Sequence, residues 1–387
     1  MNKTLFIYPA LLFFLFSCVN SSSSDDGYPV LKASLEETNT SMYDLFEEIE
    51  IIPLEALDHS LIKSISKIKY FDGIYYVLDR GMNRILFFDN NGKYLNKIDA
   101  VGNGPGEYPF VNDFNIDIAN RQIEILAVLT ILKYDLNGSY ISSYTLPPAL
   151  KIYQRMEYFG DHSYLLYVSE WPGGPPSLKM APKDESKEVK NLYDEDFYLN
   201  CLQIADAFSC DEQGNIYFMR PFRNEVYRVT SDSLQIAYTW DFGSRTNDIS
   251  SYTSNNTETD EDIITEKAVK LLRLKRNGEL PNVYYSFSNH YQTNNYYYSI
   301  LLLTPRGSVP KHLFYNKTTD AYSLFEKTSE GIDIGSPVIV TNDYMIAEFD
   351  YEKKESFADI LKGRNKEVIN NFKEDDNSCL IKYTFKK

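Results

Sequence analysis

Cysteine and histidine are both scarce, with four of each in 387 residues, and tryptophan is scarcer still at two. His59, His162, His290 and His312 stand singly, and neither Cys-x-x-Cys nor His-Glu-x-x-His occurs. A structural zinc site and a zinc-hydrolase site are therefore not legible. There is no Gly-x-Ser-x-Gly elbow, so nothing favours a serine nucleophile with His and Asp behind it. Positive charge is short: 39 Lys and Arg stand against 55 Asp and Glu, a formal charge of −16. Such a surface repels phosphate backbones, which argues against nucleic acid as a partner and suits solubility outside a cell.

The abundant residues give the fold class. Tyr (32) and Phe (23) are plentiful, and aromatic side chains favour strands. Gly, Asn and Asp recur between short apolar runs, as expected of an all-β chain with many tight turns. The clearest unit runs from Ser64 to Ile98. Ile65–Tyr70 alternates apolar and polar, Asp72-Gly73 is a hairpin signal, and Ile74–Leu78 is a nearly continuous run expected of a strand covered on both faces. Arg84–Phe88 and Lys93–Ile98 follow, separated by Asn90-Asn91-Gly92. Four antiparallel strands in about 35 residues is the size of one propeller blade.

The pattern repeats. Asp89-Asn90-Asn91-Gly92-Lys93-Tyr94 aligns with Asp135-Leu136-Asn137-Gly138-Ser139-Tyr140. Further units begin near Gln154, Phe208, Val283 and Pro337, which predicts a six-bladed β-propeller of four-stranded antiparallel blades. The last unit ends with Ser378–Phe385, one strand short, while Glu50–Leu54 is spare. This N-terminal strand is expected to complete the last blade and remove an exposed edge, and Pro53 suits an outer strand. Two insertions carry helical stripes, Asp262–Lys275 and Ser356–Phe372.

At the N-terminus, Lys3 precedes the apolar run Leu5–Phe16, too short to cross a bilayer and of signal-peptide length. Leu15-Phe16-Ser17-Cys18 resembles a bacterial lipobox, which implies lipidation at Cys18 and a membrane link through that anchor. Residues 1–17 are then a signal peptide, 18–34 a flexible tether and 35–387 the propeller. Ser21–Asp26 is polar with nothing to bury, and its Ser-Asp-Asp part resembles an export signal of surface lipoproteins in the Bacteroidetes. Beyond Cys18 remain Cys201, Cys210 and Cys379, an odd number that cannot all pair internally. Cys201 and Cys210 either form one bridge or stand as buried thiols on neighbouring strands.

Taken together, Pro53-Leu54-Glu55, the Ile65–Ile98 blade, Gly102-Asn103-Gly104-Pro105-Gly106-Glu107-Tyr108 and the terminal Lys382–Lys386 resemble the six-bladed propeller lipoproteins of the Bacteroidetes, which are similar in shape to NHL-repeat propellers. The resemblance implies a fold and a cell-envelope address, at the outer membrane and facing either the periplasm or the surface. It implies no activity.

The Gly102–Glu107 loop lacks the Lys and Ser/Thr that a phosphate-binding loop needs after its last glycine. It reads as a shaped connection between blades, with Glu107 capping backbone N–H groups. Ligands are expected on the face where second-to-third-strand loops and blade-to-blade loops emerge. Those loops carry Arg80, Arg84, Glu107, Glu170, Trp171, Arg220, Arg223 and Arg306. Arginine grips carboxylates bidentately and an exposed indole stacks on a sugar or peptide ring, so Arg80, Arg84, Glu170, Trp171, Arg220 and Arg223 are the candidate ligand-binding residues. The expected function is a non-enzymatic binding module for a glycan, a peptide or an envelope protein. The alternative is a hydrolase or lyase using channel carboxylates. Asp117 and Asp206, near predicted inner strands, leave a calcium ion in the channel open; no other cofactor is expected.

Overall fold

The computed structural model describes residues 27–147, 150, 153–168, 177–183, 188–194, 207–252, 269–270, 273–274, 277, 279–303 and 309–387. Two strands precede the first blade, β1 (Val30–Lys32) and β2 (Phe46–Pro53), with a short helix α1 (Met42–Leu45) between them. Blade 1 is β3 (Ile65–Phe71), β4 (Ile74–Asp79), β5 (Arg84–Asp89) and β6 (Tyr94–Ile98). Blade 2 is β7 (Asp113–Asp117), β8 (Gln122–Ala127), β9 (Thr130–Asp135) and β10 (Tyr140–Thr145). Blade 3 is β11 (Arg155–Phe159), β12 (Ser163–Val168), β13 (Ser177–Pro182) and β14 (Lys190–Asp194). Blade 4 is β15 (Phe208–Cys210), β16 (Ile216–Met219), β17 (Glu225–Val229) and β18 (Leu234–Asp241). Blade 5 is β19 (Tyr285–Gln292), β20 (Tyr296–Leu303), β21 (Lys311–Asn316) and β22 (Tyr322–Phe325). Blade 6 is β23 (Pro337–Val340), β24 (Tyr344–Phe349) and β25 (Cys379–Phe385), with β2 as its outermost strand. The six sheets are the expected propeller, and β2 pairs antiparallel with β25 from Phe46↔Phe385 to Pro53↔Cys379.

Each blade packs on both neighbours, which explains the apolar runs. In β4, Tyr76 and Leu78 join Ile85, Phe87, Phe114 and Ile123 in the core between blades 1 and 2. The intervening Tyr75 and Val77 join Leu86, Phe88, Ile52 and Leu380 between blades 1 and 6. The strand period of two thus sends alternate side chains into two different cores. The aligned turns share one device. Asp89 Oδ1 accepts from the N–H groups of Asn91 (2.8 Å) and Lys93 (2.9 Å), and Asp135 Oδ1 from those of Asn137 (2.9 Å) and Ser139 (2.8 Å). Gly92 and Gly138 then take φ of +82° and +89°, where a side chain would be strained.

Two boundaries differ from the sequence reading. Within the span 18–34 expected as a tether, Val30–Lys32 runs parallel to Thr239–Asp241 as a fifth strand of blade 4, with Leu31 buried. Three residues carry too little periodicity to be read as a strand. The Ser356–Phe372 stripe is two helices, α2 (Lys354–Phe357) and α3 (Gly363–Asn371), because Lys362 is extended and Gly363 has φ +54°. Phe357, Leu361 and Ile369 still pack together on blade 6. The Asp262–Lys275 stripe lies mostly outside the described residues.

The N-terminal segment is a belt across three blades. After β1, Glu36 pairs with Arg245 and Glu37 with Lys311. The Thr38 N–H donates to the Leu324 carbonyl (2.7 Å), and the Leu324 N–H donates to Thr38 Oγ1 (2.9 Å), along the outer strand of blade 5. Ser41 and Asp44 form a capping box at α1, and Glu330 accepts from Ser41 Oγ and from the Met42 N–H. The belt then enters blade 6 as β2, whose outer edge is capped by Asn365. Its amide donates to the Ile49 carbonyl (2.7 Å) and accepts from the Ile51 N–H (3.0 Å).

Beyond β2, the buried Asn377 stitches blade 6 to blade 1. Its amide donates to the Glu55 (2.9 Å) and Ser60 (3.0 Å) carbonyls and accepts from the Ile62 N–H (2.7 Å). Asn377→Ala strands these three main-chain groups and should cost about 1–3 kcal/mol. Urea denaturation is expected to show a lower midpoint with unchanged slope.

Candidate functional site

The innermost strands β3, β7, β11, β15, β19 and β23 surround the channel. Their loop-face ends are polar on blades 1 to 3. Lys67 Nζ donates to both oxygens of the buried Asp113 (2.9 and 3.0 Å), and Asp113 Oδ2 also accepts from the Met156 N–H (2.8 Å). One carboxylate therefore ties three blades. Burial alone would raise the Asp113 carboxyl. The Lys67 and Arg155 charges and the hydrogen bonds hold it below the ordinary carboxylate range. Deeper along the same strands, Glu157 accepts from Asn115 and lies 3.4 Å from Lys69. Asp117, with which a channel cation was left open, accepts from Lys183 Nζ (2.7 Å) and from Asn120. Lys183 in turn lies over the Tyr158 ring, 4.4 Å from its centroid. Among the described residues, no three His, Cys, Asp or Glu side chains stand together as a metal cage.

Blades 5, 6 and 1 leave a cavity of about 350 Å³ at the same mouth. Ser66 and Lys67 line it from β3, Ser288, Asn289 and Tyr291 from β19, and Ser336, Glu348, Asp350 and Lys353 from blade 6; Ile65, Pro337 and Val338 supply apolar surface. Burial, reinforced by the Asp350 charge, raises the Glu348 carboxyl, with Ser378 and Lys353 opposing. The Ser378 hydroxyl donates to Asp350 (3.1 Å). Lys353 is held from behind: Asp333 Oδ2 lies 3.2 Å from its Nζ, and Asp333 Oδ1 lies 3.9 Å from the buried His312. His312 Nδ1 shares a 2.8 Å hydrogen bond with the Tyr298 hydroxyl. Burial lowers His312, with Asp333 opposing, while Asp333 itself sits well below the usual carboxylate range despite burial.

The arginines singled out in the sequence have different surroundings. Arg80 is exposed on the loop after β4 and donates to the carbonyls of Val111 (3.4 Å) and Asn112 (2.8 Å). Arg84 is buried and committed to Asp79 (3.4 Å), Asp99 (3.8 Å) and the Leu61 carbonyl. Arg220 is buried with its guanidinium 5.5 Å from the Tyr167 ring centroid; burial, with Arg223 adding repulsion, lowers it to about 9. Arg223 is half-buried beside it. Glu107 turns back into its own loop and accepts from the Gly104 N–H (2.8 Å), so a Cβ at Gly102 would meet its carboxylate at 2.0 Å. Glu170, Trp171, Arg306, Asp206, Cys18 and Cys201 lie outside the described residues. Cys210 is exposed on β15, and Cys379 is a buried thiol pushed up to about 12.

Sequence reasoning missed Asn289, Glu348 and Lys353. A signal existed for the first: Ser286–His290 interrupts an aromatic strand with polar residues, and β19 carries a register shift between Phe287 and Asn289. Glu348 lies near the end of a strand read only for its apolar residues, and Lys353 stands just ahead of an insertion read only for its helical stripe.

Residues 29–384 match the domain of unknown function DUF4934. Among solved structures, one described as an exported protein of Bacteroides fragilis aligns with a TM-score of 0.68 at 17% identity, covering 92% of this chain and 100% of that one. A member of the DUF4221 family from Bacteroides vulgatus aligns at 0.50 and 12% identity, covering 88% and 97%. At these identities the likeness is one of fold. A search of the curated proteins finds no significant match.

Two outcomes follow from the channel strands. Lys67→Met leaves the Asp113 carboxylate buried without its ammonium and should cost about 3–5 kcal/mol, read by chemical denaturation. The buried His290 on β19 is lowered to about 4, mainly by desolvation. The unfolded chain takes up that proton first, near its ordinary value of about 6.5. The contribution of His290 is therefore complete above about pH 6.5 and is lost as pH falls towards 4, by up to about 3 kcal/mol. Denaturation across that range should show this loss in the wild type and a shallower one in His290→Gln.

Proposed function

We propose that this chain, which belongs to the DUF4934 family, is an exported, envelope-anchored binding module whose ligand enters the cavity between blades 5, 6 and 1. The carrying observation is the cavity itself. Its volume of about 350 Å³ falls within the range of small-ligand sites. Hydroxyl, amide, ammonium and carboxyl groups converge from three blades around an apolar floor of Ile65, Pro337 and Val338. That mixture suits a hydroxyl-bearing glycan unit or the end of a peptide. Export and anchoring are supported by the resemblance of residues 15–18 to a lipobox and by the likeness in fold to the exported Bacteroides protein.

Titration calorimetry with a panel of mono- and oligosaccharides and short peptides tests the reading. Binding by the wild type is expected to weaken at least tenfold in Glu348→Ala and in Ser336→Leu, whose side chain fills the mouth, with melting temperatures unchanged. Binding indifferent to both variants, or no binding across the panel, overturns it. A hydrolase or lyase reading has one observation in its favour, the raised Glu348 carboxyl, which suits a general acid. Turnover of a panel glycan by the wild type and not by Glu348→Gln would carry that reading instead.

A further inference from the structure

The loop face of blades 1 and 2 has a second feature beside the cavity. Leu61, Met82 and Phe110 are large apolar side chains exposed by 44%, 49% and 41%. They come from three separate connections, and the main chain ties those connections together. The Val111 N–H donates to Asn83 Oδ1 (2.8 Å), which ties the connection bearing Phe110 to the one bearing Met82. Arg84 holds the Leu61 carbonyl, and the Arg80 N–H donates to the Ser64 carbonyl (3.0 Å). Arg80 lies on the same loop as Met82 and reaches the connection that bears Phe110.

Its guanidinium is fixed by two neutral acceptors, the Val111 and Asn112 carbonyls, and makes no ion pair with a described residue. The carboxylates nearest in the chain and fold have other partners. Asp79 is bound to Arg84, Asp113 to Lys67, and Glu107 to its own loop. Burial and the Arg155 charge disfavour the Arg80 proton, and the field of Asp113, itself bound to Lys67, opposes them. The exposed Lys63 lies alongside, its methylenes over Gly81. In a chain of net charge −16, this guanidinium makes no ion pair with a described residue, and exposed Leu61, Met82 and Phe110 lie on its own and the adjoining connections. Aromatic residues, Met and Arg are the side chains enriched at protein interfaces.

We propose that Arg80, with Leu61, Met82 and Phe110 on its own and the adjoining connections, is a docking surface for a protein segment that presents a carboxylate between apolar side chains. Two guanidinium N–H groups are spent on holding the side chain in place. Those that remain can meet a carboxylate in the bidentate geometry that arginine favours. Because the two main-chain contacts already fix the rotamer, little side-chain entropy is lost on binding. The apolar side chains would exclude water from the ion pair and give it an affinity that an exposed pair lacks.

A display library of random twelve-residue peptides, panned on the purified full-length chain, tests this. Selected peptides are expected to share an Asp or Glu flanked by large apolar residues, and their affinity should fall with rising salt. Arg80→Gln and, separately, Phe110→Ser should each weaken them tenfold or more with the melting curve unchanged. Glu348→Ala, which removes one of the two cavity carboxyls, should leave them bound. Selected peptides without acidic enrichment, or binding indifferent to Arg80→Gln, overturn the proposal. Binding lost in Glu348→Ala but kept in Arg80→Gln also overturns it and assigns the peptides to the cavity.

Discussion

A ring of blades can bury both faces of every sheet only if its last blade is completed, and here the fourth strand comes from the opposite end of the chain. The β2–β25 ladder runs for the whole length of both strands. Without it, the core between blades 6 and 1, where Ile68, Val77, Leu86 and Leu380 meet, loses Ile52 and its outer wall. The alternation that sends Tyr76 one way and Val77 the other is stable only in a closed ring. The capping of β2 by Asn365 and the seam made by Asn377 serve the same closure, one protecting its edge and the other joining it to the first blade.

Inside the ring the chemistry changes from apolar to ionic. Burying a carboxylate as deep as Asp113 is costly, and the fold offsets this by giving it partners from the blades on either side. The inner strands are thereby locked in register around the channel, and most of the channel charge is used in holding the ring. What remains open is confined to the mouth. The cavity groups of blades 5, 6 and 1 and the exposed Arg80 both face the side where loops can vary without disturbing the strands.

Repeated features were legible and singular ones were not. The Asp-x-Asn-Gly turns could be aligned because the aspartate carboxylate and the left-handed glycine do the same local work in both blades. The closing strand could be inferred because a strand was missing at one end and spare at the other. The Glu107 loop was readable as self-capping because its geometry is set within six residues. Arg80 and Arg84, by contrast, look alike in sequence. Only the position of Asp79, which takes Arg84 and leaves Arg80 exposed, separates them. The cavity groups lie almost 300 residues apart in the chain, from Ser66 to Lys353, and no local pattern connects them. The strand β1 escaped notice because a three-residue parallel ladder depends on its partner and not on its own composition.

The belt also governs how the ring would respond to force. A pull on the chain ahead of Val30 reaches the closing strand only after passing the β1–β18 ladder at blade 4, the Thr38 clasp at blade 5 and the Glu330 grip on α1. Each is a small set of contacts separate from the ladder that seats β2. Tension arriving from that side is spent on three successive latches before it can shear the joint that keeps six blades in a circle.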